Sequence, residues 1–395
     1  VAASAFRLRH RSPRRPRSAT LRVDSDRYLA ASSLTRCGEA IRDPAAHRGQ
    51  SNMVYAVHED RYRGVAYRRC GRSGLMLPPI SLGTWQNFGG TSAFETMRSI
   101  VRRAFDRGVT HFDLANMYGP PPGSAEDNFG RILREDFPGL LRNELVISSK
   151  AGYAMWPGPY GAGASRKHLI ASIDQTLRRL GIDHVDIFYA HRPWPDDPME
   201  ETMGALAQIV RQGKALYVGV SSYSPARTRQ AHALLAREGV PLLIHQPSYS
   251  MLNRHIEGEL LGTLDELGAG CIGFSALAQG LLSDRYLGGS TMSGRALEQG
   301  GSFSTAFLSE ENLLNIRGLA AIAGKRGQTL AQMAIAWVLR DPRVTSALIG
   351  ARTIEQLDDS LDALKQLDFS RRELAEIDQF AREGGIDLWR QTSEL

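Results

Sequence analysis

Cysteine is scarce in this chain. Cys37, Cys70 and Cys271 are spread over 395 residues, too few and too far apart for a disulfide framework or the paired spacing of a zinc site. A reducing, cytoplasmic setting fits that usage. No apolar run approaches the ~18 residues of a membrane span, so no membrane partner is expected. The G-x-G-x-x-G turn that opens dinucleotide-binding open sheets is missing between the first predicted strand and helix. Lysine is absent from residues 1–52, which hold eleven Arg against Asp24, Asp26, Glu39 and Asp43. That stretch carries +7 of a total of +6, so residues 53–395 carry −1. The positive charge therefore implies no nucleic-acid partner for the folded part. Rich in Arg and Ser and without an apolar stretch, residues 1–52 read as a disordered extension, from a misplaced start or as a transit peptide. Residues 53–395 read as one domain.

What is present is a regular alternation. Apolar, β-branched runs at 80–83, 110–115, 145–150, 185–191, 215–221, 242–246, 270–275 and 345–350 predict eight strands. Helical patterns stand between them, for example at 93–106, 169–180, 199–210, 226–237 and 330–339. Eight such repeats fit a (β/α)8 barrel better than an open doubly wound sheet. The Gly-rich turn at 71–74 predicts a small N-terminal hairpin closing one barrel end, and 370–382 an additional C-terminal helix. Residues 280–310, rich in Gly and Ser, are too long for an ordinary connection and read as a functional loop.

A barrel gathers the C-terminal ends of its strands at one mouth. Those ends carry Asp113, Lys150, His191, Ser221, Gln246, Ser275 and Gly350. A metal-dependent barrel would need several carboxylates or histidines there, and a glycosidase two carboxylates. One carboxylate and one histidine stand there, so no metal is expected. Two chemistries survive: a Schiff base on Lys150, as in an aldolase, or a lysine that tunes a neighbouring acid. Tyr118, five residues past Asp113, favours the second. A lysine ammonium beside a phenol favours its phenolate and would lower its pKa. Asp113 would hold the ammonium, and His191 would orient a carbonyl by donating a hydrogen bond. Such a site gives a proton to a carbonyl oxygen but no electron pair to carbon, so it needs a hydride donor, a nicotinamide cofactor.

The segments FDLANMYG, ISSKAGY and FYAHRP resemble the Asp, Tyr, Lys and His tetrad of the aldo-keto reductase superfamily. MVYAVHEDRYRGVAYRRCGRSGL, FDLANMYGPPPGSAEDNFGRILREDF, KAGYAMWPGPYGAGASRKHL and GKALYVGVSSYSPART are similar to its bacterial L-glyceraldehyde 3-phosphate reductases. More distantly, the chain resembles the β subunits of voltage-gated potassium channels, which carry Asn where His191 stands. The resemblance spans Met53 to Leu395. It implies NADPH-dependent reduction of small aldehydes such as glyceraldehyde 3-phosphate or methylglyoxal, with Tyr118 as general acid, Lys150 and Asp113 tuning it, and His191 orienting the carbonyl. It also implies a possible homo-oligomer. Trp85 and Asp113 would lie beside the nicotinamide, with Ser221, Ser222 and Gln246 holding its ring and carboxamide. Ser275, Leu277, Gln279 and Gly280 would run along the pyrophosphate, and Arg285 and Arg295 would reach in from the long loop. Gly350, Arg352, Gln356 and Asp359 would hold the adenosine end. Thr353-x-x-Gln356 also reads as a capping box opening a helix there, beside which Arg352 could pair with a 2′-phosphate. Relatives carry Ser where Arg352 stands, Asn at Ser360 and Pro at Ala276, which leaves NADP against NAD preference open. For the substrate, Trp156 and Tyr160 in the loop after the lysine strand would line an aldehyde pocket, and Arg166 or Arg192 would meet a substrate phosphate. The competing readings are the aldolase and a redox-sensing, slowly turning over subunit.

Overall fold

The structure is a computed structural model, and it describes residues 55–287 and 303–387. Two short strands, β1 (Arg68–Arg69) and β2 (Met76–Leu77), pair antiparallel around the predicted Gly-rich turn. Eight parallel strands then close into a barrel: β3 (Ile80–Gly83), β4 (His111–Asp113), β5 (Val146–Ala151), β6 (Val185–Ala190), β7 (Ala215–Ser221), β8 (Leu242–Gln246), β9 (Gly270–Gly273) and β10 (Ser346–Ile349), with β10 returning to pair with β3. The expected (β/α)8 barrel with its hairpin is present. Some strands stop short of their predicted ends. His191, Ser275 and Gly350 therefore begin loops just past β6, β9 and β10.

The connections are helical for the expected reasons. In α1 (Phe94–Asp106), Met97, Ile100, Val101, Ala104 and Phe105 form one buried stripe at the spacing of a helix packed on a sheet. Ser165 caps α3 (Arg166–Leu180) by accepting from the His168 N–H, and Gly181, at φ 67°, ends it. Ser224 with Pro225 at the first position starts α5 (Pro225–Arg237). Thr329 and Gln332 form a capping box on α8 (Leu330–Val338). The other α-helices among the described residues are α2 (Ser124–Asp136), α4 (Met199–Arg211), α6 (Leu260–Leu267), α7 (Glu310–Lys325), α9 (Ile354–Asp362) and α10 (Arg371–Ile377). No described helix is long and apolar enough to cross a membrane.

The alternation of side chains along a strand divides the core. Phe112, Ile147 and Phe188 face outward into the large apolar layer beneath the helices. Ile187, Tyr189, Ile244, Ile272 and Leu348 fill the barrel interior, together with Cys70 and Leu77 of the hairpin. Arg68 ties the hairpin down by donating to the Leu339 and Val344 carbonyls, just before β10. The hairpin thus seals the N-terminal end, and the inward Asp113 and Lys150 sit towards the open one.

Candidate active site

Asp113 ends β4 opposite Ser148 on β5, and Lys150 stands two residues further along β5, so both face inward. Asp113 and Lys150 are fully buried and ion-paired. The Lys150 ammonium also donates to the Leu114 carbonyl at 2.7 Å and to Tyr118 Oη at 3.2 Å. Its three N–H donors are therefore all engaged. Asp113 Oδ1 accepts from Ser148 Oγ at 2.6 Å and from Gln246 Nε2 at 3.2 Å. The Ser221 hydroxyl in turn donates to the Gln246 carbonyl at 2.8 Å, tying neighbouring strand ends together. The His191 ring lies 6.0 Å from the Tyr118 ring, and Trp85 flanks Tyr118 at 6.4 Å.

Burial, helped by Asp113 and Tyr153, holds the Tyr118 phenol well above its ordinary value. This reverses the expectation that Lys150 lowers it in the resting site. Burial and an adjacent ammonium act on the same charged form, the phenolate, in opposite senses, and here burial outweighs the ammonium. Burial, with Lys150 and Arg192 adding, pushes His191 well below its usual range. The imidazole is thus neutral, with one N–H to donate, and its Nδ1 has no hydrogen-bond partner among the described residues. Burial pulls Lys150 down too, against the pull of Asp113 upward.

From Tyr118, Asp113 and His191 a cleft of about 480 Å³ runs across the barrel mouth to the start of α9. Trp85, Ser221, Ser222, Gln246, Ser275, Leu277, Gln279, Gly280, Arg285, Gly350, Arg352, Gln356 and Asp359 all line it. These are the predicted cofactor residues except Arg295, which lies outside the described residues, as does the extension 1–52. Lys150 is packed behind the cleft wall. The capping pattern is partly as expected: Thr353 accepts from the Gln356 N–H, but Gln356 Oε1 takes the Arg352 N–H rather than that of Thr353. Asp359 is drawn towards α8, accepting from Gln332 Nε2 at 2.7 Å.

The substrate residues come together less well. Trp156, Tyr160, Arg166 and Arg192 are not among the lining residues. The loop between Gly152 and Ser165 folds on itself through Met155–Gly161 and Gly163–Gly152 backbone bonds. It lays Trp156 on His168, 4.9 Å between rings, and leaves Tyr160 54% exposed. Arg166 opens α3, its backbone N–H donating to Glu201. Arg192 lies between the rings of Tyr153 and Trp194, at 4.4 and 4.6 Å. The sequence reading missed Tyr153, which lines the cleft and meets His191 edge to face at 4.7 Å. Its signal was its place three residues past Lys150. Also missed were Gln86, Asn87, Met117, Ser283 and Phe303.

Backbone strain marks the same cleft. The non-glycine residues at positive φ among the described residues are Gln86, Ser222, Ser275, Ala278 and Gln279. All but Ala278 line the cleft, a clustering that goes with binding sites.

A closed parallel barrel with a buried Asp113–Lys150–Tyr118 chain at its mouth, opening on a cleft, is the arrangement of a barrel enzyme. The comparisons agree: residues 79–382 match the Aldo/keto reductase family, and the chain belongs to it. It is 55% identical over 346 residues to the L-glyceraldehyde 3-phosphate reductase of Escherichia coli (strain K12), covering 87% of this chain and all of that protein. It is 35% identical over 302 residues to a probable voltage-gated potassium channel subunit beta of Arabidopsis thaliana, covering 75% of this chain and 90% of that one.

Proposed function

We propose that the chain, through a catalytic unit spanning 53–395, reduces small aldehydes to alcohols with NADPH, and that glyceraldehyde 3-phosphate, with methylglyoxal beside it, is the substrate class. The observation that carries this reading is the hydrogen-bonded order Asp113, Lys150, Tyr118 ending at the head of a cleft that runs from the barrel mouth to α9. The residues present fit that cofactor. Arg285 and Arg352 offer guanidinium groups to phosphates, and strained backbone at Ser222, Ser275 and Gln279 supports a close-fitting wall. A nicotinamide dinucleotide bound there supplies the hydride that reaches the carbonyl carbon. His191, neutral, donates to the carbonyl oxygen and fixes its direction. Tyr118, kept protonated by burial, gives that oxygen its proton as negative charge develops on it. Lys150 stabilises the phenolate left behind, and Asp113 holds Lys150 in place. Resemblance to the Escherichia coli reductase supports the substrate class. Buried free thiols at Cys70 and Cys271 support a cytoplasmic setting.

The aldolase reading fits poorly, because the Lys150 nitrogen is fully buried with its three donors placed. The presence of His191 favours an enzyme over a slow sensor. Tyr118→Phe tests the proposal: NADPH-dependent reduction should fall by about 100-fold or more, while NADPH binding, followed by fluorescence quenching, stays within about threefold. Full activity in that variant would reject the mechanism.

A further inference from the structure

His111 is fully buried, titratable, and unused by the mechanism above. It faces into the barrel from β4, two residues before Asp113. Its Nε2 lies 3.0 Å from Ser148 Oγ and its Nδ1 2.9 Å from Ser81 Oγ, which lies 2.7 Å from Ser346 Oγ. Ser81, Ser148 and Ser346 are also fully buried. The five side chains come from β10, β3, β4 and β5 and end at the carboxylate that holds Lys150.

The chemistry of that carboxylate fixes the direction of every bond. Ionised Asp113 can only accept, so Ser148 spends its one proton on Asp113 Oδ1. Ser148 Oγ can then only accept from His111, so Nε2 carries a proton. Burial pushes His111 down to about 4, with Asp113 and Lys150 the charged groups acting on it, so the ring is neutral and Nδ1 is bare. Ser81 must donate to Nδ1, and Ser346 must donate to Ser81. Each dipole points at Asp113. The chain has no solvent-exposed member, so it stores orientation and exports no proton.

We propose that His111 is a positioning residue: with Ser81, Ser148 and Ser346 it forms a one-directional chain of hydrogen bonds that holds the Asp113 carboxylate on Lys150, and through it sets the acidity of Tyr118. This deepens the reduction reading and rests on it. A buried carboxylate at a strand end takes its donors from side chains, here Lys150 and Ser148 of β5 and Gln246 of β8. The Ser148 donor is in turn polarised by the imidazole behind it.

Two measurements test this. In the first, ¹⁵N NMR of the whole apo-protein, labelled at histidine, reads the His111 tautomer without any turnover. The expected result is a neutral ring protonated on Nε2 from about pH 6 to 8.5. In Ser148→Ala the proton should move to Nδ1, where Ser81 Oγ can accept it. A wild-type ring protonated on Nδ1, or a tautomer indifferent to Ser148→Ala, would overturn the chain. The second measurement is the pH profile of kcat. His111→Leu and Ser148→Ala should lower kcat about tenfold and move its alkaline limb upward by about half to one pH unit, the scale of one net hydrogen bond. NADPH affinity should hold. His111→Gln, which keeps a donor near Ser148, should restore most of the profile. A lowered kcat with an unmoved profile would reduce His111 to a packing role and reject the proposal. Should His111→Leu fail to fold, Ser148→Ala, which deletes one hydroxyl, carries the same readout. A wild-type protein that oxidises no NADPH with any small aldehyde would sink the reduction reading, while the tautomer would still decide the chain.

Discussion

Replacing Lys150 with methionine isolates the electrostatic part of the site. The ammonium lies 3.2 Å from Tyr118 Oη. At an effective dielectric of about 20, a full phenolate at that distance gains roughly 5 kcal/mol from the ammonium. If about half of that charge has developed at the transition state, the loss is roughly 2–3 kcal/mol, or about 100-fold in kcat at 1.36 kcal/mol per decade. The resting phenol is neutral, so the ground state gives up far less. NADPH binding should also hold, because Lys150 lies behind the cleft wall and does not line it. The cost to folding is separate. Asp113 keeps Ser148 and Gln246 but loses its counter-charge, and breaking a buried pair costs about 3–5 kcal/mol. The assay is therefore paired: kcat and NADPH affinity from steady-state and binding measurements, and unfolding free energy from urea titration. A kcat within about threefold of wild type in a folded Lys150→Met protein would show that the ammonium does not act on the phenolate and would undo the reasoning.

Further outcomes follow from the same geometry. Burial holds His111 at about 4, His245 at about 3, and His191 well below its ordinary range. A histidine whose folded pKa is depressed binds fewer protons folded than unfolded, so stability falls as pH drops below about 6.5. Glu126, held up by burial, works the other way. Urea melts should show a loss at pH 5 against pH 7.5 of roughly 2 kcal/mol for each such histidine before that offset, and equal stability at both would refute the buried neutral state. Arg352→Ala should weaken NADPH about tenfold, leave NADH nearly unchanged and alter kcat little, one charge-assisted contact being at stake; equal weakening of both cofactors would remove Arg352 from the 2′-phosphate.

The barrel was legible because most of its strands are short and largely buried, and such strands read as apolar runs such as 187–190. The strand-end set was legible for a related reason. A polar residue at the end of such a run has one place to go, so Asp113, Lys150, Ser221 and Gln246 could be assigned to the mouth before any distance was known. His111 escaped the same logic because it stands at the beginning of its strand, where polarity looks like a boundary. Its role depends on Ser81 and Ser346, which are 265 residues apart in sequence and meet only through barrel closure. The acidity of Tyr118 was misjudged because proximity of Lys150 can be guessed from spacing, whereas the extent of desolvation cannot.

The substrate residues failed for a physical reason of another kind. The loop after β5 contains four glycines between 152 and 163, and glycine leaves the backbone free to turn either way. Its direction is set by contacts: the Tyr160 carbonyl accepts from His168 Nδ1 at 3.0 Å, and Trp156 packs on the same ring. Both pull the loop onto α3 and away from the cleft. Arg192, one residue past His191, is similarly diverted by two aromatic faces. Among the described residues that line the cleft, the guanidinium groups are those of Arg285 and Arg352, which the proposed arrangement gives to the cofactor. A phosphate on the aldehyde therefore has no uncommitted cation among them, and recognition by Arg192 would mean its leaving Tyr153 and Trp194, giving up cation–π contacts of about 0.5–2 kcal/mol each. Selectivity for a phosphorylated over a plain aldehyde thus depends on how a few kcal/mol of ring contact compare with one guanidinium–phosphate pair. That balance belongs to the loop after β5 and the segment after β6, whereas the proposed proton donor, Tyr118, sits in the loop after β4 and is held by Lys150 from β5, so its part would be the same for either substrate.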